Sequence, residues 1–292
     1  GAGNGSRTRL SALGRLHNTD ILYPLVDWIP KYYISGVLKK SKNRFLEIDL
    51  LRGIAVSGMI AYHFFFIGDF YNFFDINFKT LPWLVIARFI QFIFLGLVGV
   101  SLAVSKNIGM KFHLKQFKRF LVIVILAMSI TFSTYILVPD RMIVWGVLHL
   151  IAFSILTLQF VAKKPLFTFS LGLFAMIFGF VIGRIGAEES LILNILGFNV
   201  TGFYALDYFP IFPWISVVAF GIVIGNLLYK NGRSVLGSVI KSSLGSDGEN
   251  KLKKNHFVET MTLIGRHALF IYMTHFIFLI GFWEILKILR QQ

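Results

Sequence analysis

The sequence contains no cysteine. That excludes disulfides, thiolate metal sites and cysteine nucleophiles, and it leaves the redox compartment open. No two histidines stand three or four residues apart beside a carboxylate, so no metal site is expected. The glycine patterns of phosphate loops and dinucleotide folds are missing. So is any convincing internal repeat, which argues mildly against transporter folds built from inverted halves. The alternating pattern of membrane β-strands is absent as well.

What is present is hydrophobic bulk. Of the 292 residues, 56% are hydrophobic, and mean hydropathy is +0.72. A soluble domain sits nearer about 45–50%. The apolar residues come as blocks of about 20 with few charges, the length that crosses about 30 Å of hydrocarbon. A lipid-exposed backbone must satisfy its own hydrogen bonds, so these blocks predict helices. The expected fold is an all-α polytopic membrane bundle of about seven helices. The spans read Ile48–Phe70, Leu81–Val104, Phe117–Val138, Ile143–Val161, Pro165–Ile185, Phe212–Tyr229 and Ala268–Leu289. Leu191–Phe198 is apolar but too short to span, and predicts a surface helix or re-entrant piece.

The net charge is +15. The basic residues fall between apolar blocks, so no nucleic-acid partner is expected; loops facing cytoplasm and anionic lipid account for the charge. By side, 21 Lys and Arg fall in the N-terminal tail and alternate loops, and five in the others; Arg52, Arg88 and Arg266 lie in or at the ends of spans. Insertion keeps positive loops inside. The N-terminus is therefore expected in the cytoplasm and the C-terminus outside. Residues 1–20 read as a disordered tail and 21–47 as a cytoplasmic interfacial segment. Residues 48–289 form the bundle, with a flexible cytoplasmic loop at about 230–260. No signal peptide is read before the first span.

Ionisable residues inside a span are costly, and so are candidate functional residues. The first span is richest in them. Asp49 and Arg52, three apart, can pair on one helical face. Arg52 and His63 are eleven apart, close to three turns, so they share a face about 16 Å apart along the axis. An imidazole is the usual base near neutral pH, and His63 lies toward the outer half. Arg88 and Gln91, His149, Asn226, Tyr272 and His275 are further embedded polar residues. Together at similar depth they suggest a polar cavity. The outer connection Asp207-Tyr-Phe-Pro210-Ile-Phe-Pro213-Trp214 offers Asp207 and Trp214 to an external substrate. Each of these residues also has an ordinary reading: interfacial anchor, packing histidine or aromatic belt.

Four stretches carry a resemblance. They are Arg44-Phe-Leu-Glu47-Ile-Asp49-Leu-Leu-Arg52-Gly53 with Tyr62-His63-Phe; Trp145-Gly-Val-Leu-His149; Tyr208-Phe-Pro-Ile-Phe-Pro213-Trp214 with Gly221 and Gly225; and Gly265-Arg266-His267-Ala-Leu-Phe-Ile-Tyr272-Met-Thr-His275. Together they resemble transmembrane acyltransferases, most closely the membrane proteins named for the catalytic domain of heparan-α-glucosaminide N-acetyltransferase. The resemblance implies transfer of an acyl group, acetyl by preference, from cytoplasmic acetyl-CoA or another acyl-CoA. The acceptor would be a glycan, an amino sugar or a similar molecule on the other side of a prokaryotic cell membrane. It implies catalytic roles for His63, Asp49 and Arg52, and donor contacts from Arg52, Lys118, Arg119 and Arg266. Arg88, His149, Asp207, Trp214 and His275 would contact the acceptor. The lysosomal enzyme carries its histidine before a Trp-Asn-Gly, and the corresponding stretch here, Ile76 to Trp83, has none; support for His63 comes from the wider superfamily's Arg and His spaced along the first span. The expected partners are lipid, acyl-CoA and acceptor, with a homodimer left open. Two other functions compete: a transporter or channel with a histidine- and arginine-lined path, and a non-catalytic binder of CoA or lipid.

Overall fold

The computed structural model describes residues 45–104, 110–188, 190–201, 205–230, 233–235, 237–238, 242–243 and 255–291. The expected tail, most of the interfacial segment and much of the 230–260 loop lie outside these residues.

Nine helices are described. They are α1 Leu46–Phe70, α2 Leu81–Ala103, α3 Met110–Leu137, α4 Val147–Leu158, α5 Pro165–Ile182, α6 Leu191–Leu196, α7 Ile211–Leu228, α8 His256–Arg266 and α9 Ala268–Arg290. Two short strand pairs accompany them. β1 (Gly186–Ala187) runs parallel to β2 (Asn199–Val200), and β3 (Tyr229–Lys230) runs antiparallel to β4 (Arg233–Ser234). Six helices are long and apolar enough to cross a membrane: α1, α2, α3, α5, α7 and α9. The chain is an all-α, multi-pass integral membrane protein.

Local chemistry explains the ends of the helices. Glu47 and Asp49 occupy the first turn of α1, where the helix dipole favours negative charge. Proline stands in the first turn of α2 and α5, where its missing N–H is no loss. The helix α3 starts seven residues before its expected beginning at Phe117. Hydropathy sees only its apolar part, whereas Lys111 to Arg119 are good helix formers that extend it.

The fourth span departs most from expectation. Only 12 residues are helical, about 18 Å in length. It still runs from one end of the bundle to the other. At its start, Phe209 N–H donates to the Trp145 carbonyl (3.2 Å) and Thr131 Oγ donates to that of Ile143 (2.6 Å). Just past its end, His113 Nδ1 meets Gln159 Oε1 at 3.1 Å, and Lys163 Nζ donates to the Ala103 carbonyl at 2.6 Å. Residues 143–146 and 159–163 thus extend α4 in both directions, to contacts at either end of the bundle.

The helix α8 was not expected, and its start at His256 shortens the loop expected to run to about residue 260. Asn255 caps it, its side-chain oxygen accepting from Phe257 N–H and Val258 N–H. Its buried residues, Val258, Thr262 and Gly265, fall on one face. That face lies along α1. A Cβ on Gly53 would strike the Met261 carbonyl, and one on Gly265 would strike that of Asp49. The main core lies between α2, α4 and α7, where Leu95, Leu102, Leu150, Ile155, Val218 and Ile222 are fully buried. This core fixes one wall of the site; α1 and α9 supply the other.

Candidate active site

The stripe on α1 organises the site. Arg52 Nη1 lies 3.0 Å from Asp49 Oδ1, the pairing expected from their spacing. Arg52 Nη2 also donates to Ser101 Oγ on α2, at 3.0 Å. The other carboxylate oxygen of Asp49 lies 3.6 Å from Arg266 Nε. Asp49, itself buried, therefore ties α1 to the junction of α8 and α9. Arg119 on α3 is close enough for its charge to act against that of Arg52. Two guanidinium groups thus hold one carboxylate and a third acts on them from α3, an excess of positive charge suited to an anion. Lys118 neighbours Arg119 on an exposed position. Lys163 reaches the same end by donating to the Ala103 carbonyl.

One turn deeper a cavity of about 110 Å³ begins. On α1 it is lined by Ala55, Met59, Tyr62 and His63, continuing the face of Arg52. Ala87, Ile90, Gln91 and Phe94 of α2 form the second wall, and Val147, Asp207, Phe209 and Tyr272 close it. Against His63 sits His275 of α9, with Nε2 at 3.3 Å from His63 Nδ1. His275 is buried, and its Nδ1 lies 2.7 Å from the Tyr272 carbonyl. The ring of Phe276 packs on both imidazoles.

Asp207 faces the cavity from the connection before α7. Its Oδ2 accepts from Val147 N–H at 2.9 Å, so it caps the start of α4. Burial pushes its carboxyl up to about 6, opposed by that hydrogen bond. Its neighbour Tyr208 donates to the Asn194 carbonyl (2.7 Å), and burial pushes its phenol up to about 12.

The remaining candidates lie around this cavity but do not line it. Both nitrogens of His149 are occupied. Its Nδ1 accepts from Gly146 N–H at 3.2 Å, so its Nε2 carries the hydrogen and meets Thr131 Oγ at 3.4 Å. That is the arrangement of a helix cap. Arg88 lies over the Trp214 ring, 5.1 Å from its centroid, and donates to Gln91 Oε1 at 3.1 Å. It meets the cavity lining through Gln91. Trp214 packs on Phe209, a lining residue.

The family model described as heparan-alpha-glucosaminide N-acetyltransferase, catalytic, matches residues 44–277. The chain belongs to this family. Membership makes it a membrane-embedded member of an acetyltransferase family, and the match contains every residue of the arginine cluster and both histidines. No curated protein and no solved structure gives a significant match. Among the described residues no group of three or more His, Cys, Asp and Glu could hold a metal ion. The heparan-alpha-glucosaminide N-acetyltransferase resemblance read from motifs therefore agrees with the family model. Neither motif nor spacing pointed to Ser101 or to the contact between His63 and His275. Their partners are 49 and 212 positions apart in sequence.

Proposed function

We propose that the protein transfers an acetyl or other short acyl group from acyl-CoA to an amine or hydroxyl of a sugar-like acceptor. One observation carries this reading. A single cavity follows one stripe of α1, from Ala55, one turn inside Arg52, to His63. Phosphates of the donor fit Arg52, Arg119 and Arg266, where charge and planar geometry favour them. A thioester about 16 Å further along the helix axis is then at His63, a separation suited to an extended pantetheine arm.

In the transfer, His63 Nε2 takes the proton from the acceptor N–H or O–H. The acceptor atom attacks the thioester carbonyl and the C–S bond breaks. CoA leaves as thiolate, and the proton passes from His63 to the sulfur. General-base help of this kind contributes about 10²–10⁴-fold. Asp49 holds Arg52 toward the donor. Asp207 and Gln91, across the cavity, offer hydrogen-bond acceptors to the incoming group. The excess of basic loop residues at the arginine end supports a cytoplasmic donor and an acceptor arriving from the other side.

Purified protein in vesicles should release CoA from acetyl-CoA when a sugar-amine panel is present. The His63→Ala variant should lose about 10²-fold or more in kcat, with donor KM little changed. Undiminished turnover in that variant, or solute flux with no acyl transfer in the wild type, sinks the proposal.

A further inference from the structure

We infer that His275 is a positioning residue that fixes the tautomer of His63 and leaves His63 Nε2 as the free base. The inference rests on the reading of His63 given above, but its evidence is hydrogen-bond geometry alone.

A carbonyl oxygen only accepts. The Tyr272 carbonyl, 2.7 Å from His275 Nδ1, therefore requires a hydrogen on that nitrogen. In a neutral imidazole the other nitrogen is then bare. His275 Nε2 can only accept, and the atom facing it at 3.3 Å is His63 Nδ1. One of the two nitrogens must donate, so the hydrogen sits on His63 Nδ1. His63 Nε2 is left with its lone pair and no hydrogen.

The alternative charge state puts a second hydrogen on His275 and turns the contact round. That places an imidazolium among Phe276, Tyr272 and a second imidazole, with no ion pair to either ring among the described residues. Burying an unpaired cation is costly, which favours the neutral pair. The logic is that of a base oriented by a third group, here a backbone carbonyl acting through an intervening histidine. Two helices share the task. The base is on α1, and its orienting residue comes a full 212 positions later on α9.

The test is long-range ¹H–¹⁵N spectroscopy of the full chain in nanodiscs, with ¹⁵N-labelled histidine and His63 assigned through His63→Gln. Wild type should show His63 protonated at Nδ1 and bare at Nε2. In His275→Phe the His63 signal should shift toward Nε2–H, and kcat should fall about 10²-fold with donor KM within about twofold. His275→Gln, whose amide oxygen can accept from Nδ1–H, should recover part of both the signal and kcat. A wild-type spectrum with His63 protonated at Nε2 overturns the inference, whatever the variants do. So does a His275→Phe variant with unchanged tautomer and kcat. Retained turnover in His63→Ala would instead count against the proposed base, with the tautomer assignment standing.

Discussion

Asp207 is a carboxylate in an expensive place. It has one strong hydrogen bond, from Val147 N–H, and the described ion pairs include none to it. Burial raises its pKa from 3.8 to about 6. The folded chain therefore binds this proton more tightly than the unfolded chain does. Its contribution to stability is fully present below about pH 4 and is lost as pH rises through about 6. Two units correspond to at most about 3 kcal/mol. Asparagine keeps an oxygen for Val147 N–H but cannot ionise. Asp207→Asn should therefore melt close to wild type near pH 4.5 and above it at pH 7.5. Melting followed by tryptophan fluorescence in detergent reads the difference. A variant that melts below wild type at pH 7.5 would show that the charge is satisfied by a partner. That the native chain keeps the acid despite this cost is consistent with use of the carboxylate by a ligand in the cavity.

Helices in lipid gain little from apolar burial against each other, so they pack through close backbone approach at small residues. The crossing of α2 and α7 shows this. A Cβ on Gly221 would collide with the Gly96 carbonyl, and one on Gly99 with that of Val218. A Cβ on Gly96 would meet nothing within 4 Å. Gly221→Ala should therefore lower apparent stability by about 1–3 kcal/mol, as overpacking does. Gly96→Ala should raise it by up to about 1 kcal/mol through helix propensity alone. Melting temperatures of the two variants should move in opposite directions, and a common direction would contradict this crossing. The same residues show what can be read from sequence. Gly221 and Gly225 were visible as small residues on an apolar span, but the helix they touch was not. Long apolar blocks gave α1, α2, α5, α7 and α9 to within a few residues, because bilayer thickness sets their length. The helix α4 is short because His149 and Asp207, not hydropathy, decide where it starts. The helix α8 was missed because only one face of it is apolar, and its partner face on α1 lies some 200 positions earlier in the chain. For the site, the pairing of Asp49 with Arg52 and the stripe to His63 were legible from helical spacing. The contacts of Ser101, Arg266 and His275 depend on tertiary packing that no local pattern encodes.

At the scale of the whole molecule, sidedness depends on whether α4 counts as a crossing. The positive-inside tally requires an odd number of crossings, whereas six helices among the described residues are long and apolar enough to cross. Contacts at the two ends of α4 favour seven. Residues 143–146 meet the far end of α3 and the connection just before α7, and residues 159–163 meet the near ends of α2 and α3. The absence of native cysteine makes a clean experiment available. Asp140 and Lys164 flank α4 and are both exposed. Single Asp140→Cys and Lys164→Cys variants should react with a membrane-impermeant maleimide from opposite sides. With the arginine end inside, Asp140→Cys should label in intact cells and Lys164→Cys only in inverted vesicles. Labelling of both from one side would leave six crossings and place the C-terminus with the N-terminus. It would also place the basic loop after α7 on the opposite side from the N-terminus, against the charge argument for the proposed cytoplasmic donor. The outcome therefore bears on the proposed chemistry as much as on topology, since that proposal has a donor and an acceptor arrive from opposite sides and meet at His63 on α1.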